Sequence, residues 1–235
     1  MLGDFQLFIE HVQGDPFAAP SALRIFVPHS KAKFPERYYW DKCSKVALQD
    51  ALLRRFAEIS AKFCYQAKGS GKSGVIQVSH CGQEVLERTA CEITKEGIHI
   101  RFFVGFPANG RTINSGELEK ILFVYLPKCV EMSLYHRKVP ERETEQVICL
   151  KEDQRVIREE LKKRGLIAFV ANGSILPRQS GNSDLPMKDA VPFQSPKSME
   201  ITIQLRHRGS ITGMGIRKGI TLIAGGGYHG KSTLL

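Results

Sequence analysis

The sequence predicts a mixed α+β fold in two consecutive parts, and three observations carry this prediction. Residues 42–62 place apolar side chains at helical spacing. Between residues 75 and 106, β-branched or aromatic side chains recur at alternate positions, as they do in strands. The final stretch reads GGGYHGKSTLL and follows an apolar run at residues 220–224, which gives the order strand, glycine-rich loop, helix. We therefore expect an α+β N-terminal domain followed by the incomplete beginning of a P-loop α/β nucleotide-binding domain.

The N-terminal domain is expected to begin with two strands and a long helix. Residues 5–12 have near-strand spacing and end at the turn sequence Gly14-Asp15-Pro16, and residues 23–27 form the next strand. The helix covers residues 42–62, and its apolar side chains belong to the core. A meander or small sheet then follows, from strands at residues 75–79, 88–94 and 97–106.

The middle of the chain is expected to be helical. Ser115 caps a helix that continues to Tyr125, Pro127 must end or kink it, and residues 130–135 resume it. The charged residues 137–145 are interpreted as a surface connection. Residues 151–164 form a second amphipathic helix, which Gly165 ends as a C-terminal cap.

The character of the chain changes at Gly165, and we place a domain boundary there, which gives domains 1–165 and 166–235. Residues 166–171 have the pattern of a buried strand, and residues 199–205 alternate as a second strand. Between them lies a long segment without periodicity, at residues 172–196. A turn-rich stretch, with glycines at 209, 213, 215 and 219, then leads into the strand before the glycine-rich loop.

Part of the long segment, residues 171–186, is a candidate for further site residues, because its glycines would let the backbone approach a ligand. The alternative is an ordered surface loop that packs against the N-terminal domain. The candidate side chains are Ser174, Arg178, Ser180, Asn182 and Asp184.

The terminal segment fills the pattern GxxxxGK[ST] with Gly225, Gly230, Lys231 and Ser232. In such a loop the backbone amides and the start of the next helix hold the β and γ phosphates, and the lysine reaches the same oxygens. The serine hydroxyl ligates Mg²⁺, so Ser232 is the predicted metal ligand. The predicted ATP-binding residues are Gly225, Gly226, Gly227, Tyr228, His229, Gly230, Lys231, Ser232 and Thr233.

A second GKS sequence, at residues 71–73, does not make a second P-loop, because Gln66 stands where the opening glycine is needed. Two interpretations of this segment stay open. It is a flexible basic turn, or Lys68 and Lys72 contact a nucleic-acid backbone.

The formal net charge of +10 is concentrated partly between residues 28 and 72, where ten Lys or Arg stand against four acids. Four aromatic residues, Phe34, Tyr38, Tyr39 and Trp40, are interleaved with these charges. Positive clusters attract polyphosphates and aromatic rings can stack on bases, so nucleic-acid contact and plain core packing are both open. The nucleic-acid candidates are Lys31, Lys33, Arg37, Lys68 and Lys72.

Several other classes of protein are not indicated. No run of eighteen apolar residues occurs, and acids stand at the N-terminus where a secretory signal would be basic, so we expect a cytoplasmic protein without a membrane partner. The six cysteines form no CxxC pair and the seven histidines no HExxH. We therefore expect reduced thiols and no zinc site.

Four segments of the chain carry a resemblance to a known family. They are HVQGDPFAAPS (11–21), GSGKSG with GQEVLERT (69–74 and 82–89), FVANGSILPRQSGNSDLP (169–186) and GMGIRKGITLIAGGGYHGKSTLL (213–235). Together, in this order, they resemble the predicted ATPases of the ABC class, in which an N-terminal α+β domain precedes an ABC-type nucleotide-binding domain. The resemblance implies ATP bound with Mg²⁺ at residues 225–233 and hydrolysis at the interface of two such domains in a homodimer. It also implies RNA as a candidate partner, because a member of the family binds RNA.

Two features depart from the pattern of that family. Residues 209–219 contain no aromatic side chain to stack on adenine. The Q-loop, signature motif, Walker B acid and switch histidine would all lie beyond Leu235. We therefore expect no catalytic residue within this chain and no ATPase activity from it alone. The alternative function is a truncated module that binds polyanions or nucleic acid without hydrolysing nucleotide.

Overall fold

A computed structural model describes residues 3–227 and 230–234, and the chain forms two compact units that divide between Ile148 and Cys149. The predicted boundary near Gly165 stays a prediction. The strands of the first unit are β1 Gln6–His11, β2 Ser21–Pro28, β3 Ile76–Gln77, β4 Cys91–Ile93, β5 Gly97–Val104, β6 Ala108–Asn109 and β7 Thr112–Ile113. Its helices are α1 His29–Ala32, α2 Lys42–Ala61, α3 Ser115–Lys120 and α4 Leu126–Leu134, and α5 Glu141–Lys163 begins there.

An antiparallel sheet organises the first unit around β5. Strand β2 pairs with the whole of β5, from Pro28 opposite Gly97 to Ser21 opposite Val104. Strand β1 pairs with the other edge of β2, while β3 and β4 pair with opposite ends of the remaining edge of β5. The expected small sheet is confirmed, but it is not a meander, because β3 and β4 share one neighbour.

The core of the first unit lies between this sheet and α2. Alternate residues of β2, such as Leu23 and Ile25, are buried, as the two-residue period of a strand requires. Asp41 caps helix α2, because its side chain accepts the Ser44 N–H at 2.7 Å. The helix buries a periodic apolar face. Phe56 of α2 packs on Phe102 of β5 with ring centroids 5.3 Å apart. Burial of each such side chain contributes about 1.5–3 kcal/mol.

In the helical region at residues 115–134, a π-helical turn precedes Pro127. Asn114 is the N-cap, since its side chain accepts the Glu117 N–H at 3.2 Å, and the predicted cap Ser115 is the first helical residue instead. The π turn covers Ile121–Tyr125, between α3 and α4. A proline ring clashes with the carbonyl four residues earlier, and here that carbonyl lies in the wider turn. The predicted break at Pro127 is therefore a change of helix type.

Helix α5 begins at Glu141, ten residues before the predicted start, so part of the expected surface connection is helical. It ends at Lys163, one residue before the predicted end, and Gly165 follows with a φ of 63° that L side chains rarely adopt. The strands that follow are β8 Leu166–Ala171, β9 Arg178–Ser180, β10 Ser183–Pro186, β11 Glu200–Gln204 and β12 Ser210–Arg217. Strands β9 and β10 form a hairpin inside the segment that we expected to lack regular structure.

The glycine-rich stretch at residues 209–219 is largely a strand, which corrects the predicted turns. Strand β12 is central in an antiparallel sheet, between β11 and β8. A Cβ atom on Gly213 would lie 2.2 Å from the Val170 carbonyl oxygen of β8. The glycine therefore permits a close approach between two strands, which is a known reason for glycine inside a sheet.

Residues 220–224, predicted as the strand before the glycine-rich loop, form no strand among the described residues. Ile220 is 105% exposed and Leu222 is 88% exposed. A strand needs a neighbour that accepts and donates its backbone hydrogen bonds, and no described strand pairs with this segment. Helix α6 follows at Lys231–Leu234.

Candidate functional site

The glycine-rich loop is closed on itself by Lys231. Its amine donates to the Gly225 carbonyl oxygen at 2.7 Å and also to the Gly226 carbonyl oxygen. The amine thus reaches from α6 back to the first glycines of the motif. The partners are neutral carbonyls, so the lysine charge is not cancelled by these two contacts.

Gly230 provides the turn into α6. Its φ is 75°, and its carbonyl accepts the N–H groups of Thr233 and Leu234, both at 3.1 Å. Ser232 is exposed, so its hydroxyl is accessible to a hydrated metal ion, which suits Mg²⁺ because that ion keeps several waters. The predicted residues Tyr228 and His229 lie outside the described residues. An exposed loop of glycines, a lysine amine and an accessible hydroxyl together fit a magnesium-bound phosphate chain.

The candidate residues at 171–186 lie in and around the β9–β10 hairpin. Arg178, Ser180 and Asn182 are exposed, and the Ser180 hydroxyl donates to the Asn182 side-chain oxygen at 2.7 Å. Ser174 is half-buried, and its carbonyl accepts the Phe193 N–H at 2.9 Å. The side chain of Asp184 is outside the described part. The hairpin is ordered by its own contacts, so its role in a ligand site stays a prediction.

The nucleic-acid candidates fall into two groups at opposite ends of β5. Lys31, Lys33 and Arg37 follow β2, near the Gly97 end, where the His29 N–H donates to the Glu96 carbonyl at 3.2 Å. Lys68 and Lys72 precede β3, near the other end, where the Gly74 N–H donates to the Gly105 carbonyl at 2.9 Å. Strand β5, which lies between the two groups, has eight residues and a length of about 23 Å. One phosphate cannot contact both groups.

Three of these five candidates have partners within the first unit. Lys31 Nζ lies 2.6 Å from Asp4 Oδ1, and this hydrogen bond lowers the pKa of the Asp4 carboxyl. Arg37 Nη2 lies 2.6 Å from Glu145 Oε1, and Lys68 Nζ donates to the Tyr65 carbonyl at 3.1 Å. Lys33 and Lys72 are exposed.

The aromatic residues that follow Lys31 and Lys33 differ in their exposure to solvent. Phe34 and Tyr38 are buried and belong to the core, and the Tyr39 ring stacks on His29 at 4.6 Å. Trp40 is 67% exposed. Core packing therefore explains three of the four rings, because Tyr39 also packs against the core, and Trp40 presents its surface to solvent.

Arg137 is a basic residue that the sequence did not mark as part of a site. It joins Lys31 and Lys33 around a cleft of about 250 Å³, together with Asp4, Ser30 and Tyr135. Its guanidinium lies over the Tyr135 ring, 5.5 Å from the centroid. More than a hundred residues separate Arg137 from Lys33 along the chain, so no local pattern could have joined them.

Two family models match nearly the whole chain. Residues 1–137 match the family model described as ATPase of the ABC class N-terminal, and residues 140–235 match the P-loop domain of ABC ATPases. An uncharacterized protein of Methanocaldococcus jannaschii is 33% identical over 95 residues, which cover 35% of this chain and 20% of that relative. Among the described residues, every helix is too short or too polar to cross a membrane. The chain belongs to the family of ATPases of the ABC class.

Proposed function

We propose that this chain binds the triphosphate of ATP with Mg²⁺ through residues 225–233. The observation that carries this proposal is the Lys231 amine, which bridges the Gly225 and Gly226 carbonyls across an exposed loop. A phosphate oxygen carries a negative charge, so its hydrogen bond with this ammonium adds an attraction between opposite charges that a neutral carbonyl does not provide. Phosphate would therefore displace the carbonyls as the partner of Lys231.

Each residue of the loop has a proposed role. Lys231 holds the phosphate oxygens and Ser232 offers its hydroxyl to Mg²⁺, while the remaining residues donate backbone N–H groups. The proposed ATP-binding residues are Gly225, Gly226, Gly227, Tyr228, His229, Gly230, Lys231, Ser232 and Thr233. Among residues 3–227 and 230–234 we assign no group that orients an attacking water, and we propose binding without turnover for this chain. Hydrolysis is proposed for a homodimer that forms through the ATPase domains.

Isothermal titration with MgATP tests the proposal, with Lys231→Ala as the variant and Lys188→Ala as a matched control. Lys188 is an exposed lysine of the second unit, so the control removes the same charge elsewhere. We expect the wild type and the control to bind MgATP and Lys231→Ala to bind none. Equal heats for all three proteins would refute the proposal, and phosphate release above the level of Lys231→Ala would refute binding without turnover.

We also propose that the first unit binds RNA or another nucleic acid. The supporting observations are the ten Lys or Arg against four acids between residues 28 and 72, and the exposure of Lys33 and Lys72 in the two basic groups. Strand β5, which is about 23 Å long, lies between the two groups, so a nucleic acid that contacts both must span several nucleotides. Contacts to its phosphates would not depend on base sequence. The proposed contacts are Lys31, Lys33, Arg37, Lys68 and Lys72.

The salt dependence of binding to a single-stranded oligoribonucleotide tests this second proposal. The logarithm of the binding constant falls with the logarithm of the salt concentration, and each lost phosphate contact should make this slope about 0.7 less steep for a single strand. We expect Lys33→Ala and Lys72→Ala each to lower the slope by that amount and the double variant to lower it by twice as much. A slope near zero for the wild type would rule out phosphate contacts.

A further inference from the structure

The cleft between Lys33 and Arg137 has the charge and the size of a site for one phosphate group. Three cations, Lys31, Lys33 and Arg137, line it together with a single acid, Asp4. The hydroxyl-bearing residues Ser30 and Tyr135 complete the polar lining. Its volume of about 250 Å³ lies below the range of roughly 300–1,000 Å³ typical of pockets for whole small molecules. A phosphate group fits such a cleft and a complete nucleotide does not.

The fold brings the three cations together from distant parts of the chain. Lys31 lies in the short helix α1, and Lys33 ends that helix in the left-handed conformation, with φ 55° and its N–H bonded to the His29 carbonyl at 2.9 Å. Arg137 lies in a short 3₁₀ turn after α4, and its position over the Tyr135 ring adds a cation–π contact. Tyr135 is itself 7% exposed, so the platform under Arg137 is fixed by the core.

The Asp4 carboxylate occupies this positive environment as an anion would. Lys31 Nζ lies 2.6 Å from its Oδ1. The pKa of Asp4 is lowered first by the Lys31 hydrogen bond and attraction, and further by Arg137 and Lys33. The three cations therefore favour a negative charge in the cleft, and the Asp4 carboxylate supplies that charge. One acid against three cations leaves an excess of two positive charges.

We propose that this cleft holds a backbone phosphate of a bound nucleic acid, and that Asp4 competes with that phosphate for Lys31. The inference rests on the nucleic-acid binding proposed above, to which it adds Arg137 as a contact and Asp4 as an internal competitor. When a phosphate enters, Lys31 exchanges its carboxylate partner for phosphate oxygens, while Lys33 and Arg137 contact the same group. Phosphodiester contacts of this kind set position and affinity and carry no base preference.

Substitution of the competitor gives the sharpest test, because removal of a competing anion should strengthen binding. We expect Asp4→Asn to bind a single-stranded oligoribonucleotide up to about fivefold more tightly, the upper limit for an exposed ion pair. The matched control is Glu58→Gln, which removes an exposed acid that lies 3.3 Å from Lys62 on α2. It changes the net charge equally and should alter affinity less. All proteins carry Lys231→Ala, so that the P-loop contributes no phosphate contact.

The cationic side of the cleft is tested by Arg137→Gln and Lys33→Ala. Each should weaken binding and lower the salt slope by about 0.7. Lys188→Ala, which removes an exposed charge of the second unit, should leave the slope unchanged. All the altered side chains of the cleft are exposed or half-exposed, so melting temperatures should change by no more than a few degrees.

The outcomes separate this inference from the proposed function. Suppose that the wild type binds RNA, that Asp4→Asn and Glu58→Gln bind it with equal affinity, and that Arg137→Gln has the affinity and salt slope of the wild type. The cleft then takes no phosphate and the inference is overturned. If the wild type binds no RNA, the proposed nucleic-acid function fails, and titration of Asp4→Asn with inorganic phosphate decides the cleft. Amide resonance shifts confined to residues 30–33 and 135–137 would then support the phosphate site, and unchanged resonances would overturn it.

Discussion

Arg54 donates from its Nε to Oδ2 of Asp50 at 2.5 Å, and the carboxylate that it contacts is almost fully buried. Arg88 donates to the other oxygen of the same carboxylate. The two arginines also donate to backbone carbonyls of the segment at residues 82–88. Arg54 donates to Gly82 at 2.6 Å and Arg88 donates to Glu84 at 3.2 Å. A buried acid on α2 thereby holds the segment at residues 82–88 in place.

Replacement of Asp50 should destabilise the first unit strongly. Asp50→Ala leaves Arg88, whose side chain is 16% exposed, without its acid, and the loss of one partner of a buried pair costs about 3–5 kcal/mol. Glu58→Ala is the matched control, since Glu58 of the same helix forms an exposed ion pair with Lys62, four positions later, as Asp50 does with Arg54. That change should cost under about 1 kcal/mol. Urea denaturation measures both, and equal midpoints would contradict the structural role of Asp50.

The buried thiols should be unreactive in the folded protein. Burial raises the pKa of Cys129 to about 12 and raises that of Cys91 as well. Cys43, Cys64 and Cys149 are half-buried. Iodoacetamide at pH 8 should therefore modify some of these three before either buried thiol, as peptide mass spectrometry would show. Rapid labelling of Cys129 under native conditions would contradict its burial.

The same burial gives a pH dependence with a defined sign. Because the folded-state pKa of Cys129 is raised, its thiol contributes full stability below the unfolded-state pKa of about 8.5. That contribution is lost as pH rises toward the folded value of about 12, by about 1.4 kcal/mol per pH unit. The difference in unfolding free energy between the wild type and Cys129→Ala should therefore shrink from pH 8 to pH 10. A constant difference would be inconsistent with this pKa.

Gly213 should not tolerate a methyl group. The nearest atom to an added Cβ is a backbone oxygen at 2.2 Å, which no rotamer change can move, and overpacking of this kind costs about 1–3 kcal/mol. Gly181→Ala is the control, because an added Cβ there meets nothing within 4 Å. Hydrogen exchange of the β8 and β12 amides should accelerate in Gly213→Ala alone. Equal protection in both variants would show that the sheet adapts.

Asn114 and Ser115 distinguish the observed helix start from the predicted one. Asn114→Ala removes the side chain that accepts the Glu117 N–H and should cost about 1 kcal/mol. Ser115→Ala changes an exposed first-turn residue and should be neutral or slightly stabilising, since alanine is the better helix former. Thermal unfolding of the two variants decides between them, and the reverse order would restore Ser115 as the cap.

The sequence predicted elements whose cause is local and missed those whose cause is distant. The periodic apolar face of α2 located that helix within one residue, and the run at residues 166–171 located β8 to the residue. Strand β12 was missed because Gly213 looks like a turn residue, and only the approach of Val170 explains the glycine. The GxxxxGKS pattern located the loop that Lys231 closes, whereas Arg137 joined the basic cleft through tertiary structure alone.

The pairing of β2 with β5 has a consequence for the order in which the first unit can fold. Pro28 pairs with Gly97 and Ser21 with Val104, so the partners lie 69 to 83 positions apart in the chain. During synthesis at roughly 5–20 residues per second, the β1–β2 hairpin would wait on the order of ten seconds for its partner strand. Throughout that interval Leu23, Ile25 and Val27 have no sheet neighbour on that edge, which makes the nascent hairpin a natural substrate for chaperones that bind exposed apolar strands.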